Sequence, residues 1–234
     1  MSRVLLGLIG LVFTLNAAEI YATFNVEAEQ SASLAFDASG VVKSVKSDIS
    51  AKVKQGQILA LLANADKRAT LESAKTVLKY AKKDYERQVK VKNLIDASKF
   101  DTYAFKYENA KNQLDYAQSM YDKTFLKAPF DGVLFFKNIE VGDTVSGMML
   151  KTVFKIQSAN KRKLIVDFDQ KYFKEVKIGD KFNYKVDGDD KSYSGVISKI
   201  YPIANSNNRK IQAEVKVKNV VVGLFGDGTI ITKN

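Results

Sequence analysis

The chain has 234 residues, a formal net charge of +11 and a pI of about 9.5, and contains neither Cys nor His. That excludes a disulfide framework, a thiolate nucleophile, a lipid-modified N-terminal Cys, zinc and copper sites of the usual type, and Ser-His or Cys-His catalytic arrangements. Hydrophobic residues make up 46%, with 13 Gly and only 2 Pro, so the chain can build real cores and is neither collagen-like nor compositionally disordered.

The N-terminus reads Met1-Ser2-Arg3, then an apolar run over 4–15, then Asn16-Ala17-Ala18. One positive charge, a short apolar core and small residues form a secretory signal, with cleavage expected after Ala17 or Ala18. The run is too short for a hydrocarbon core of roughly 30 Å, so residues 1–18 are read as a signal peptide. The mature chain is expected to be exported and soluble, and not to be a lipoprotein. Its basic charge suits anionic headgroups or an acidic partner protein, or reflects Lys as a solubilising residue. No aromatic-basic recognition motif accompanies it, so nucleic acid is not an expected partner.

Residues 20–34 alternate in polarity. Next, residues 36–65 hold one half of a small β-module, Gly40-Val41-Val42 followed by Val53-Lys54-Gln55-Gly56-Gln57-Ile58-Leu59. Its second half comes only at 126–160, as Ala128-Pro129-Phe130-Asp131-Gly132-Val133-Leu134, then Val141-Gly142-Asp143-Thr144-Val145 and Leu150.

The intervening residues 66–125 lack Pro and Gly, which favours helix. Leu71, Ala74, Leu78, Ala81, Tyr85 and Gln88 recur at spacings of three and four, as do Tyr103, Tyr107, Ala110, Leu114, Ala117, Tyr121 and Thr124. Each seam alternates large with small residues, so two antiparallel helices of roughly 28 residues are expected to interdigitate as an αα-hairpin on the order of 40 Å long. Between them, at 93–98, the first seam fades and Ser98 is the expected cap of the second helix. From Lys67 to Lys92 nine Lys or Arg face Glu72, Asp84 and Glu86, whereas from Ser98 to Phe125 four Lys face four carboxylates. That asymmetry is either a solvated surface or a way to orient neighbouring hairpins.

Residues 161–234 return to the two-residue period, with turns at Gly179-Asp180 and Asp187-Gly188-Asp189. Five or six short antiparallel strands predict a small closed barrel, which the strand within 19–35 joins. The expected class is therefore β-rich and multi-domain: a split β-domain, an antiparallel coiled-coil αα-hairpin and a small β-barrel. Asp131, Asp143, Asp180 and Asp227 stand beside Gly and are read as turn residues, not as an acid–base pair. Gly223 to Gly228 lacks the Lys-Ser/Thr of a phosphate loop. Met148-Met149, without further soft ligands, reads as packing.

The half-module 53–59 resembles the first half of lipoyl and biotinyl carrier domains, which would make Lys67, after Asp66, a modification candidate. Here Lys67 instead opens the helical insert. Taken together, split lipoyl-like halves, an inserted hairpin and a following barrel resemble the periplasmic adaptor, or membrane fusion, proteins of bacterial tripartite pumps (HlyD-like, resistance-nodulation-division efflux type). Leu126-Lys127-Ala128-Pro129-Phe130-Asp131-Gly132-Val133 is similar to the start of that family's second lipoyl half. Residues 205–210 and 219–226 are similar to its barrel segments. The family's hairpin tip carries Arg, an apolar residue four later, and Ser seven after that, which here fall on Arg87, Val91 and Ser98.

The resemblance implies that this tip docks with an outer-membrane channel of the TolC type, that the lipoyl-like module associates with itself in a ring, and that the barrel meets an inner-membrane transporter. A resistance-nodulation-division transporter is favoured, with an ATP-driven one as the alternative. No catalysis and no cofactor are implied. Ser50 stands where the family has a turn Gly. The chain stops at Asn234, so a compact member with little membrane-proximal domain is expected.

Overall fold

A computed structural model describes residues 18–149 and 151–232; most of the segment read from sequence as a signal peptide (1–17), Leu150 and residues 233–234 lie outside the described residues. In chain order the strands are β1 (Glu19–Ala28), β2 (Ser31–Leu34), β3 (Gly40–Val45), β4 (Lys52–Val53) and β5 (Ile58–Leu62). Helices α1 (Ala65–Lys90) and α2 (Ala97–Asp122) follow. After them come β6 (Phe125–Lys127), β7 (Gly132–Lys137), β8 (Thr144–Val145), β9 (Phe154–Ser158), β10 (Lys161–Asp169), β11 (Lys181–Val186), β12 (Ser192–Asn205), β13 (Lys210–Lys218) and β14 (Phe225–Ile231). The chain divides into two units, one holding residues up to Glu29 together with Asn160 onward, the other Gln30–Ala159.

The first unit is a closed barrel of strand order β1-β10-β13-β12-β11-β14. Strict alternation along β1 turns Ile20, Ala22, Phe24, Val26 and Ala28 inward. Phe24 meets the ring of Phe182 edge-on at 5.9 Å and that of Tyr184 at 5.3 Å, so these three aromatic rings pack together inside the barrel. Gly226 is required by this packing: a Cβ there would lie 2.1 Å from the Lys185 carbonyl oxygen and 2.6 Å from the Phe24 ring. Asp227 is consequently a residue of strand β14, paired opposite Thr23, and not a turn residue as the sequence suggests. Asp180 does hold a turn, accepting the Lys177 amide at 2.7 Å.

The second unit contains two four-stranded sheets, β2-β9-β7-β4 and β6-β5-β3-β8. Each sheet takes two strands from before the hairpin and two from after it, as in the pairs β4–β7, β3–β8 and β5–β6. Strand β2, which falls in the segment 19–35 assigned from sequence to the barrel, pairs here with β9 instead. Val42, Leu59, Leu62, Leu134, Phe154 and Ile156 join in one buried cluster between them. Neither half can bury its apolar face alone, so this sandwich closes only when segments some 60 residues or more apart meet. Ser50 takes φ 69, the left-handed conformation Gly favours, so the bend is kept without the Gly. Asp131 accepts the Gln55 amide at 2.8 Å and pairs with Lys54 at 3.2 Å, tying the second half-module to the first. Met148 and Met149 are exposed and do not pack, contrary to the sequence reading.

Candidate functional site

The hairpin leaves the sandwich through a narrow root. The Leu62 amide donates to the Thr124 carbonyl at 3.0 Å, and the Asn64 side-chain amide donates to the Thr124 hydroxyl at 3.0 Å. Asn64 stands at the N-cap of α1 but makes no capping bond, because its side chain is spent on this cross-link. Thr124 itself is buried and closes back on the Tyr121 carbonyl at 2.6 Å. Lys67, the carrier candidate, sits in the first turn of α1 and pairs with Asp66 at 3.1 Å. The Lys67 hydrogen bond lowers the Asp66 pKa.

The two helices each run 26 residues, so the hairpin is roughly 39 Å long. Along the seam Leu71 is only 2% exposed, and Ala110 and Ala117 are buried. Leu78, Tyr85, Tyr107, Leu114 and Tyr121 are half-buried. Tyr85 stacks on Tyr107 at 5.3 Å and tilts against Phe100 at 5.7 Å, while Tyr121 meets Phe125 edge-on at 5.0 Å. Helices in proteins draw most of their stability from packing of one face, so these contacts and the root hold the hairpin together.

At the tip, α1 ends at Lys90 with Val91 as its C-cap, a short 3₁₀ turn spans Lys92–Leu94, and α2 begins after Asp96. Asp96 is the cap of α2, accepting the Ser98 amide at 2.8 Å. Ser98 is therefore not the cap expected from sequence. It lies inside the first turn, and an Asp two positions earlier reaches the free amide first. Arg87, Val91 and Ser98 are all exposed and flank the connection, with Arg87 ion-paired to Asp84. No hydrogen bond joins the three to one another among the described residues. Leu94, not singled out from sequence, is 85% exposed at the turn itself. Behind it the Lys92 ammonium sits 4.8 Å from the Phe100 ring centroid, which braces the turn.

Among the described residues no group of three or more carboxylates is placed to hold a metal, and no helix is long and apolar enough to cross a membrane. What the site offers is a braced, solvent-facing tip with one exposed leucine, one arginine fork and a hydroxyl. Such a surface has the make-up of a protein-docking patch.

Residues 30–157 match the family described as CzcB-like, barrel-sandwich hybrid domain. Over 203 residues the chain is 26% identical to the cobalt-zinc-cadmium resistance protein CzcB of Cupriavidus metallidurans, covering 77% of this chain but 38% of that protein. Among solved structures, a MacA-MexA chimeric protein containing the Pseudomonas aeruginosa MexA α-hairpin domain superposes with TM-score 0.83 at 18% identity, covering 93% of this chain and 83% of that one. The membrane fusion protein Spr0693 from Streptococcus pneumoniae R6 gives 0.72 at 16% identity, covering 92% of this chain and 100% of that one. With the matched domain spanning more than half of it, the chain belongs to the CzcB-like barrel-sandwich hybrid family, within the membrane fusion, or periplasmic adaptor, proteins.

Proposed function

We propose that the chain is the periplasmic adaptor of a tripartite export system, joining an inner-membrane transporter to an outer-membrane channel. The observation that carries this is the hairpin: roughly 39 Å of helix pair, rooted at Thr124, that ends in an exposed tip instead of packing back on a core. Arg87, Val91 and Ser98 act as docking residues for helical ends of the channel, with Leu94 as an apolar anchor between them. The barrel meets the transporter, and the sandwich associates with further copies to surround a conduit. Function is geometric and needs no covalent step. The resistance-nodulation-division class of transporter is favoured by the family resemblance.

A photo-crosslinker placed at Leu94 in cells tests the docking. Capture of an outer-membrane channel supports it, and capture of only soluble proteins or of nothing overturns it. Identifying the inner-membrane protein that co-purifies with the barrel then separates a proton-driven transporter from an ATP-driven one.

A further inference from the structure

The outer surfaces of the two helices carry opposite charge in matched order. On α2 the carboxylates Asp101, Glu108, Asp115 and Asp122 recur at every seventh residue, forming one exposed column on the outer face, away from the seam. None of them enters an ion pair among the described residues, although Lys111 stands one helical turn from both Glu108 and Asp115. Phe105, 68% exposed, lies on the side of α2 turned away from α1, between Asp101 and Glu108. On α1 the cations split into two sets. Lys67, Lys75, Lys82 and Arg87 are engaged by Asp66, Glu72, Glu86 and Asp84 of their own helix. Arg68, Lys79, Lys83 and Lys90 pair with no carboxylate among the described residues.

The levels of these groups follow from the seam. Tyr85 contacts both Phe100 and Tyr107, and lower down one groove is lined by Ser73 and Val77 together with Asn112 and Tyr116. Lys90 is therefore level with Asp101, Lys83 with Glu108, and Arg68 with Asp122, each within about one helical turn, while Lys79 falls between Glu108 and Asp115. Copies related by rotation about an axis along the hairpin keep these levels. The α2 column of one copy then meets these four cations of α1 in the next, two of which (Lys79 and Lys83) rest over the exposed Tyr80 ring, with no axial slide.

We infer that α2 of one copy docks against α1 of a second copy through these columns, with Phe105 against the Lys83 stem at their centre. This rests on the adaptor reading and specifies how its ring closes: head-to-tail, in one register. Contacts of α1 with α1, or of α2 with α2, set like charges together and are disfavoured, so a symmetric pair through one helix is not the product.

Sedimentation of the mature chain, with two charge-reversed variants, tests this. One carries Asp101→Lys, Glu108→Lys and Asp115→Lys; the other carries Lys79→Glu, Lys83→Glu and Lys90→Glu. Each alone is expected to self-associate about tenfold or more weaker than the unmodified chain, and an equimolar mixture of the two to regain association. Because the natural chain has no Cys, a Lys83→Cys copy mixed with a Phe105→Cys copy provides a second readout, with the mixed disulfide dimer expected in excess over like dimers. Unchanged association of either reversed variant, no rescue on mixing, no excess of mixed dimer, or no association of the unmodified chain overturns the inference. The crosslink from Leu94 to a channel reports on the adaptor reading separately: if it persists while the charge variants behave as the unmodified chain, only this register falls.

Discussion

The barrel and the hairpin solve opposite problems with chains of similar length. The barrel closes on itself, leaves no free sheet edge and buries Phe24, Phe168, Phe182 and Ile230 in one lumen. The hairpin buries only Leu71, Ala110 and Ala117 and exposes Val77, Tyr80, Phe105, Tyr116 and Leu94. Cohesion in the barrel comes from an enclosed core, whereas the hairpin is held by its root and a thin seam. The region that contributes least to its own stability is thus the one free to contribute binding surface.

Substitutions can break that contrast. Phe182→Ala removes a fully buried ring in contact with Phe24 and Tyr184, and is expected to cost about 3–5 kcal/mol, read as a large drop in the barrel's thermal transition. Leu71→Ala in the hairpin is expected to cost about 2–3 kcal/mol, near the lower end for buried leucine because its two-helix surroundings can collapse. Hydrogen exchange should locate that loss in the helical amides near the root and leave β1 and β10 protected. Equal loss of protection in both units would show that the two are one cooperative body.

An ionic cluster around Glu214 gives the barrel a pH dependence. Burial would raise the Glu214 carboxyl, but hydrogen bonds from Tyr201 at 2.7 Å and Lys163 at 3.0 Å, with Lys199 at 3.4 Å, overrule it and lower the pKa to about 2. A carboxylate depressed in the folded state stabilises fully above its unfolded value near 4.5, and that stabilisation is lost as pH falls toward 2. The contribution is about 2 kcal/mol once partial solvation is allowed for. Glu214→Gln should flatten the stability profile between those values when followed by denaturant titration. An unchanged acid slope would assign it to other carboxylates.

The hairpin and the barrel are legible in the sequence because both rest on short-range periodicity. A spacing of three and four residues runs from Leu71 to Gln88, and alternation runs through β1 and β11, without interruption by Pro. The interleaving of the sandwich is not legible in this way, since β4 finds β7 across the whole hairpin and no local signal encodes that pairing. At the tip, competition between two good capping residues hid the outcome: Asp96 and Ser98 both qualify by type, and only the backbone path decides for Asp96. Asp227 misled because Gly on either side usually marks a turn, whereas here both glycines make room for neighbouring strands. Leu94 carries no periodic signal, so its exposure emerges only from the fold of the turn.

The smallest stability effects fall where the functional ones should be largest. Asp96→Ala removes one capping bond and is expected to cost about 1 kcal/mol, fraying the first turn of α2 without disturbing the Tyr85–Tyr107 stack. Leu94→Ala removes a side chain that is 85% exposed and should change stability by less than about 0.5 kcal/mol. If Leu94 is an anchor that loses its water on docking, the same change should reduce channel capture from a crosslinker at Arg87 by about tenfold. Asp96→Ala separates preorganisation from contact, because it leaves Leu94 in place and only loosens the turn that presents it. A loss of capture for Leu94→Ala far beyond that for Asp96→Ala would assign the binding energy to the apolar contact. Equal losses would assign it to the shape of the turn.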